Sequence, residues 1–179
     1  MEESGCPTSL QVMQRLAMEI GLELRSSEHG TLDSSLSVRV APKETAWPLE
    51  QEFVAGLKAG PSKGEGVSIA ACELGLLDAR VQYDNIRRDG FLGRKIVDRI
   101  VRIAVRVKIE ERGGTRFREF QKEARDTVSV SDVDRLETAG LPMTRGSLPP
   151  EGFFDDLIEP AIFLGSIGVA VYLLFAVRS

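Results

Sequence analysis

Side chains that carry chemistry are scarce in this sequence. It has one histidine, His29, two cysteines, Cys6 and Cys72, one tryptophan, and aromatics at 6%. A metal centre needs several ligands, and His29 has no cysteine or second histidine near it. In the polar, turn-rich run 25–34 it reads as a solvated loop residue. Two cysteines are too few for a disulfide framework. Cys72 lies in an apolar stretch and reads as a small core residue, while a Cys6–Cys72 bridge stays open. The serines have no base other than His29 and no Gly-x-Ser-x-Gly elbow. The loop Gly60-Pro61-Ser62-Lys63-Gly64-Glu65-Gly66 lacks the Gly-Lys-Ser or Gly-Lys-Thr triplet of a phosphate loop. The carboxylate pairs Asp132/Asp134 and Asp155/Asp156 sit at a helix start and at the border of an apolar run, places that suit structure. The expectation is no catalytic, metal or cofactor residue, and no enzyme. The opening MEESGCPTSL has neither a basic start nor an apolar run, so no secretory signal stands in the sequence as given. Ser4-Gly5-Cys6 matches the end of a lipoprotein cleavage box, but Glu3 breaks it.

What is present is ordinary globular composition, with 28% charged and 42% hydrophobic residues, plus one outlying run. Pro160 to Val177 contains no charge. As a helix it is about 27 Å long at ~1.5 Å per residue, close to the ~30 Å of a bilayer core. The sequence therefore predicts a single-pass transmembrane helix over 157–177, with membrane localisation. Its domain is cytoplasmic as the sequence stands, or periplasmic if a signal lies upstream. The small residues Ala161/Gly165 and Ser166/Ala170, each four apart, offer a homodimer face within that helix.

Along the chain, Leu10, Met13, Leu16, Ala17 and Ile20 share a helical face, capped by Thr8 or Ser9 and ended by Gly21. Leu36, Val38 and Val40 alternate as a short strand. Thr45–Lys58 reads as a second helix with Pro48 in its first turn. Val67–Cys72 is apolar enough for a strand. Leu77–Asp84 and Val101–Glu110 alternate with period two, joined by a basic tip. Gly113-Gly114 leads into a more polar strand over 117–123. Residues 76–126 thus form a long meander. A short helix follows, closed by Gly140, then the Pro/Gly-rich run 141–152. The predicted fold is α+β: two or three helices packed on an antiparallel sheet, then one transmembrane helix. The expected domains are 1–139 globular, 140–156 linker and 157–177 membrane helix.

Charge is uneven. Residues 80–125 hold 14 Lys and Arg against 7 Asp and Glu, and the rest of the chain is acidic. On the strand after the tip, Arg102, Arg106 and Lys108 fall on the face opposite the apolar positions. Arg87, Arg88, Arg94 and Lys95 add charge at the tip. These seven residues are the candidate face for an anionic partner, either a protein or an envelope component. The alternative is a solvated strand face neutralised across the ladder by Glu110, Glu119 and Glu123. Stacking aromatics are missing, so no nucleic acid is expected.

The run from Leu77 to Val128, ending Arg125-Asp126-Thr127-Val128, resembles the strand–tip–strand–Gly turn–strand segment of small bacterial cell-envelope α+β domains. Among these are lipoproteins that assist outer-membrane assembly or secretion. The resemblance covers about a third of the chain, carries no catalytic motif, and implies binding or assembly. It departs in its anchor, which in those lipoproteins is an N-terminal lipid. The function it implies is a membrane-anchored, non-enzymatic accessory or interaction domain. The alternatives are an enzyme with an unrecognised site and a structural subunit of a membrane complex.

Overall fold

The computed structural model describes residues 5–27, 32–59, 69–90, 93–111, 114–150 and 155–176. His29, the loop 60–66 and Gly113 lie outside them. The chain divides into two compact units, Met1–Leu148 and Pro149–Ser179.

The first unit begins with α1 (Ser9–Ser27), β1 (Leu32–Ala41) and α2 (Lys43–Ala59). Then come β2 (Ile69–Arg88), β3 (Lys95–Glu111) and β4 (Gly114–Ser129). A reciprocal cap starts α1: Thr8 N donates to Gln11 Oε1 at 2.8 Å, and Gln11 N donates to Thr8 Oγ1 at 3.2 Å. The helix does not end at Gly21. That glycine is buried inside α1, where a Cβ would lie 2.4 Å from Phe53 O of α2. Gly56 of α2 is the counterpart, with a Cβ 2.1 Å from Met18 O. The two glycines let the helix backbones touch. A helix-ending residue and a helix-contact residue look alike in sequence, and here the contact decides.

The helices lay Met13, Leu16, Ile20, Leu49, Phe53 and Leu57 against one face of a four-stranded sheet of order β1-β2-β3-β4. The α+β class holds, but the sheet is mixed: β1 runs parallel to β2, and only β2, β3 and β4 are antiparallel. The parallel pair follows from α2, which carries the chain back across the sheet after β1. The two runs expected as separate strands, Val67–Cys72 (described from Ile69 on) and Leu77–Asp84, are joined over their described residues in one strand, β2. Register shifts at Leu76/Asp78 and Asp84/Arg87 break its alternation. The open Cys6–Cys72 option is resolved, since both thiols are free.

After β4 the chain turns through 130–132 into α3 (Val133–Leu136) and packs on as far as Leu148. Val133, Leu136 and Thr144 are buried. Thr144 Oγ1 accepts from Thr138 N at 3.0 Å and donates to Leu141 O at 2.8 Å. A Cβ on Gly146 would sit 2.9 Å from the Tyr83 ring, so the chain here lies flat on β2. The boundary expected at 139/140 thus falls inside a packed segment.

The second unit holds α4 (Asp155–Ala176). Among the described residues no helix is long and apolar enough to cross a membrane. This corrects the transmembrane helix expected over 157–177. The single-pass placement and the membrane localisation fall with it. Asp155, Asp156 and Glu159 occupy the first turns of α4.

Two outcomes follow from this packing. Ending the chain at Leu148 should leave a cooperative thermal melt, whereas ending it at Ala139 strips Thr144 and Gly146 from the core and should cost about 2 kcal/mol or more. Equal melting midpoints would contradict the packed segment. Gly56→Val forces a side chain into the Met18 carbonyl and should destabilise by about 1–3 kcal/mol, read by urea unfolding. An unchanged midpoint would mean the helices do not touch there.

Candidate functional site

Odd positions of β3 face the helices and even positions face away. Arg102, Arg106 and Lys108 therefore share the open face of the sheet, each beside an acid. Arg102 pairs with Glu123, which also takes Arg125 Nε at 2.7 Å. Arg106 Nη2 lies 2.5 Å from Glu119 Oε1, and Lys108 Nζ lies 2.6 Å from Glu110 Oε1. The cross-strand register Arg102↔Glu123 and Arg106↔Glu119 sets the first two pairs. Bonding to Lys108 holds Glu110 below the usual carboxylate range, and Arg102, then Arg125, do the same for Glu123. The face is a ladder of ion pairs.

The tip residues belong elsewhere. At ~3.3 Å per residue, Lys95 and Lys108 are about 40 Å apart along one strand. Arg87 is tied to Asp98 at 2.7 Å, and Asp98 also accepts from Asn85 Nδ2 at 3.0 Å and Thr127 Oγ1 at 2.9 Å. Arg87 first, then Asn85, hold the Asp98 carboxyl well below its ordinary range. Asn85 takes a left-handed φ of 57° at the β2 register shift, which brings its amide to Asp98. Arg88 stands opposite Lys95 in the register, and Arg94 is exposed where its carbonyl accepts from Asp89 N at 2.9 Å. The structure thus brings three of the seven candidate residues together and sets the other four apart.

Two apolar side chains join the three. Leu77 is 52% exposed and Phe117 is 63% exposed. The register shift at Leu76/Asp78 turns Leu77 out of the core, and Phe117 stands opposite Lys108. With Glu73, Arg106 and Lys108 they line a depression of about 220 Å³ around Gly75.

A second constellation lies on the helix side. Arg99 is in phase with Val97 and Val101 and is fully buried. Its guanidinium grips Asp126 with two bonds, Nε to Oδ1 at 2.8 Å and Nη2 to Oδ2 at 2.5 Å. Ser9 Oγ is 3.4 Å from Nη1, and Cys6 Sγ is 3.7 Å from Nη2 and 3.9 Å from Asp126 Oδ2. Burial opposes the charge on Arg99, but the bond and attraction of Asp126 outweigh it, and its pKa stands above the ordinary value. Burial pushes the Cys6 thiol up, although Arg99 pulls the other way. The Tyr83 phenol is raised by burial first and Glu137 second. Its Oη is buried beside Ser9, whose hydroxyl draws the pKa the other way. This cluster clasps the start of α1 to β3 and β4. The signal for it was an arginine in an otherwise apolar stripe, facing Asp126 in the next strand.

Among the described residues no group of His, Cys, Asp or Glu is placed to hold a metal ion. No protein-family model matches the chain, and no solved structure matches it. It is similar to the nicotinate-nucleotide–dimethylbenzimidazole phosphoribosyltransferase of Janthinobacterium sp. (strain Marseille), 29% identical over 104 residues. The match covers 49% of this chain and 28% of that enzyme, so the chain spans well under a third of that relative's length.

Removing one member of the buried pair is the direct test of the clasp. Asp126→Ala strands the Arg99 charge and should cost about 3 kcal/mol. This is the low end for such pairs, because the Asp126 side chain keeps 35% of its surface exposed. Arg99→Met with Asp126→Leu should recover most of the loss in urea unfolding. If the double variant is no better than the single one, charge burial is not the cause.

Proposed function

We propose that the unit Met1–Leu148 is a non-enzymatic interaction module that engages a protein partner through the open face of its sheet. The observation that carries this reading is the pair Leu77 and Phe117, both more than half exposed, beside Arg106 and Lys108 around the depression at Gly75. Apolar side chains rimmed by polar ones mark contact surfaces. The Arg106–Glu119 and Lys108–Glu110 pairs lie in solvent, where such bridges contribute about 0–1 kcal/mol. Acidic groups of a partner can replace those glutamates at little cost. The apolar pair then supplies affinity, and the basic pair supplies register. The resemblance to envelope assembly domains, with its implied binding role, points the same way.

Photocrosslinking tests it. With p-benzoyl-phenylalanine at position 77 of the full chain in its native cells, one discrete adduct should form, identified by mass spectrometry and reproduced with the purified partner. The Phe117→Ala background should reduce the adduct at least about fivefold, since a buried aromatic anchor contributes 1 kcal/mol or more. The same label at Asp134, exposed on α3, should give none. No adduct from position 77, or the same adduct from position 134, overturns the proposal.

A further inference from the structure

The helix layer carries a separate feature that the open face does not explain. Between α1 and α2 runs a groove of about 560 Å³, larger than the depression at Gly75, walled by Leu10, Pro48 and Val54. Trp47 and Glu50 are three apart on α2, so they stand side by side on its surface. Trp47 is the only tryptophan in the chain and is 59% exposed. Glu50 is the one charged residue in the groove lining, and no cation pairs with it among the described residues. The helices are held to this spacing at the groove itself, because Gln14 Nε2 of α1 donates to Pro48 O of α2 at 3.1 Å. The groove therefore has a fixed width, an indole face, a carboxylate uncompensated among the described residues, and apolar walls.

Each of these has one complementary chemistry in common. An indole face attracts a cation through its quadrupole, more strongly than any other aromatic side chain. A carboxylate beside it adds direct attraction. Apolar walls suit the methylene stem of a long basic side chain. We propose that this groove binds a lysine or arginine carried on an apolar segment of a partner protein. The cation lies over Trp47 with Glu50 beside it, and the stem rests on Leu10 and Val54. The site is independent of the open face. It would stand if that face proved inert, and it can fail while the face still binds.

The single tryptophan makes the groove its own reporter. The full chain is titrated, with tryptophan emission recorded, against three short acetylated peptide amides that are identical except for a central arginine, glutamine or glutamate between leucines. The arginine peptide should shift the emission saturably and bind about threefold to fivefold tighter than the glutamine peptide, the factor expected of an exposed cation–π contact. The glutamate peptide should be weakest. Glu50→Gln should weaken the arginine peptide by a similar factor without moving the thermal midpoint, and added salt should do the same. Trp47→Ala, followed by calorimetry, should abolish the preference for arginine. Equal affinity for the arginine and glutamine peptides, or an arginine affinity indifferent to Glu50→Gln, overturns the proposal. So does an emission that shifts with protein concentration alone, because a second copy of the chain would then fill the groove.

Discussion

The inward stripe of β3 is what the first unit depends on. Val97, Val101, Ile103, Val105, Val107 and Ile109 are each no more than 1% exposed. At about 1.5–3 kcal/mol per fully buried side chain they form the largest continuous block of apolar burial along any strand. Every other element is placed by its relation to that stripe. β2 and β4 pair to its two sides, α1 packs over it, and α2 packs on α1 and over β1 and β2. A one-residue slip of β3 would turn the stripe to solvent and bury Arg102, Arg106 and Lys108 in its place, so the register tolerates no error.

Arg99 is the exception that the stripe accommodates. A charge in a buried position is expensive unless it is paired and well bonded. Here the pairing is supplied by Asp126, opposite Arg99 in the β3–β4 register, with Cys6 and Ser9 from the chain start closing over it. The pair adds little net stability compared with an apolar replacement. Its effect is on specificity: only one register of β4 and one seating of the start of α1 satisfy the guanidinium. Lys122 repeats the theme more weakly near the sheet edge, where it turns toward the helices and meets Glu23 of α1. Inward charges on β4 also make that exposed strand a poor template for pairing with another chain.

This division between local and distant causes decides what was legible in the sequence. The cap of α1 and the alternation of β3 depend on neighbours within a few residues, and both could be read directly. The extension of α1 past Gly21 could not, because the reason for that glycine is a backbone carbonyl on α2. Nor could the continuity of β2, whose alternation is broken by register shifts that only pairing with β3 reveals. The parallel placement of β1 is likewise a property of the crossover and not of the strand. The candidate residues show the same split. Arg102, Arg106 and Lys108 share a face because a strand has period two. The tip residues were grouped with them by sequence proximity, which an extended strand converts into distance. The apolar run at 160–177 suggests a membrane span by its length and lack of charge, while α4, which holds it as far as Ala176, begins among three acids.

The basic excess of residues 80–125 also changes meaning once its members are placed. Part of it is consumed inside the fold, by Arg99 under α1 and by Lys122 against Glu23. Much of the remainder is matched on the open face by glutamates one strand or two residues away. On the open face itself, where these pairs stand, the field is close to locally neutral, and long-range steering of an anionic partner to that face is weak. On the proposed reading, recognition comes from short range instead: from the exposed side chains Leu77 and Phe117 on the sheet and Trp47 on the helices, and from ion pairs exposed enough to be exchanged. Specificity would then rest on matching an apolar contact with a charge at a fixed spacing, which a rigid sheet and a helix pair locked by its glycines are built to hold.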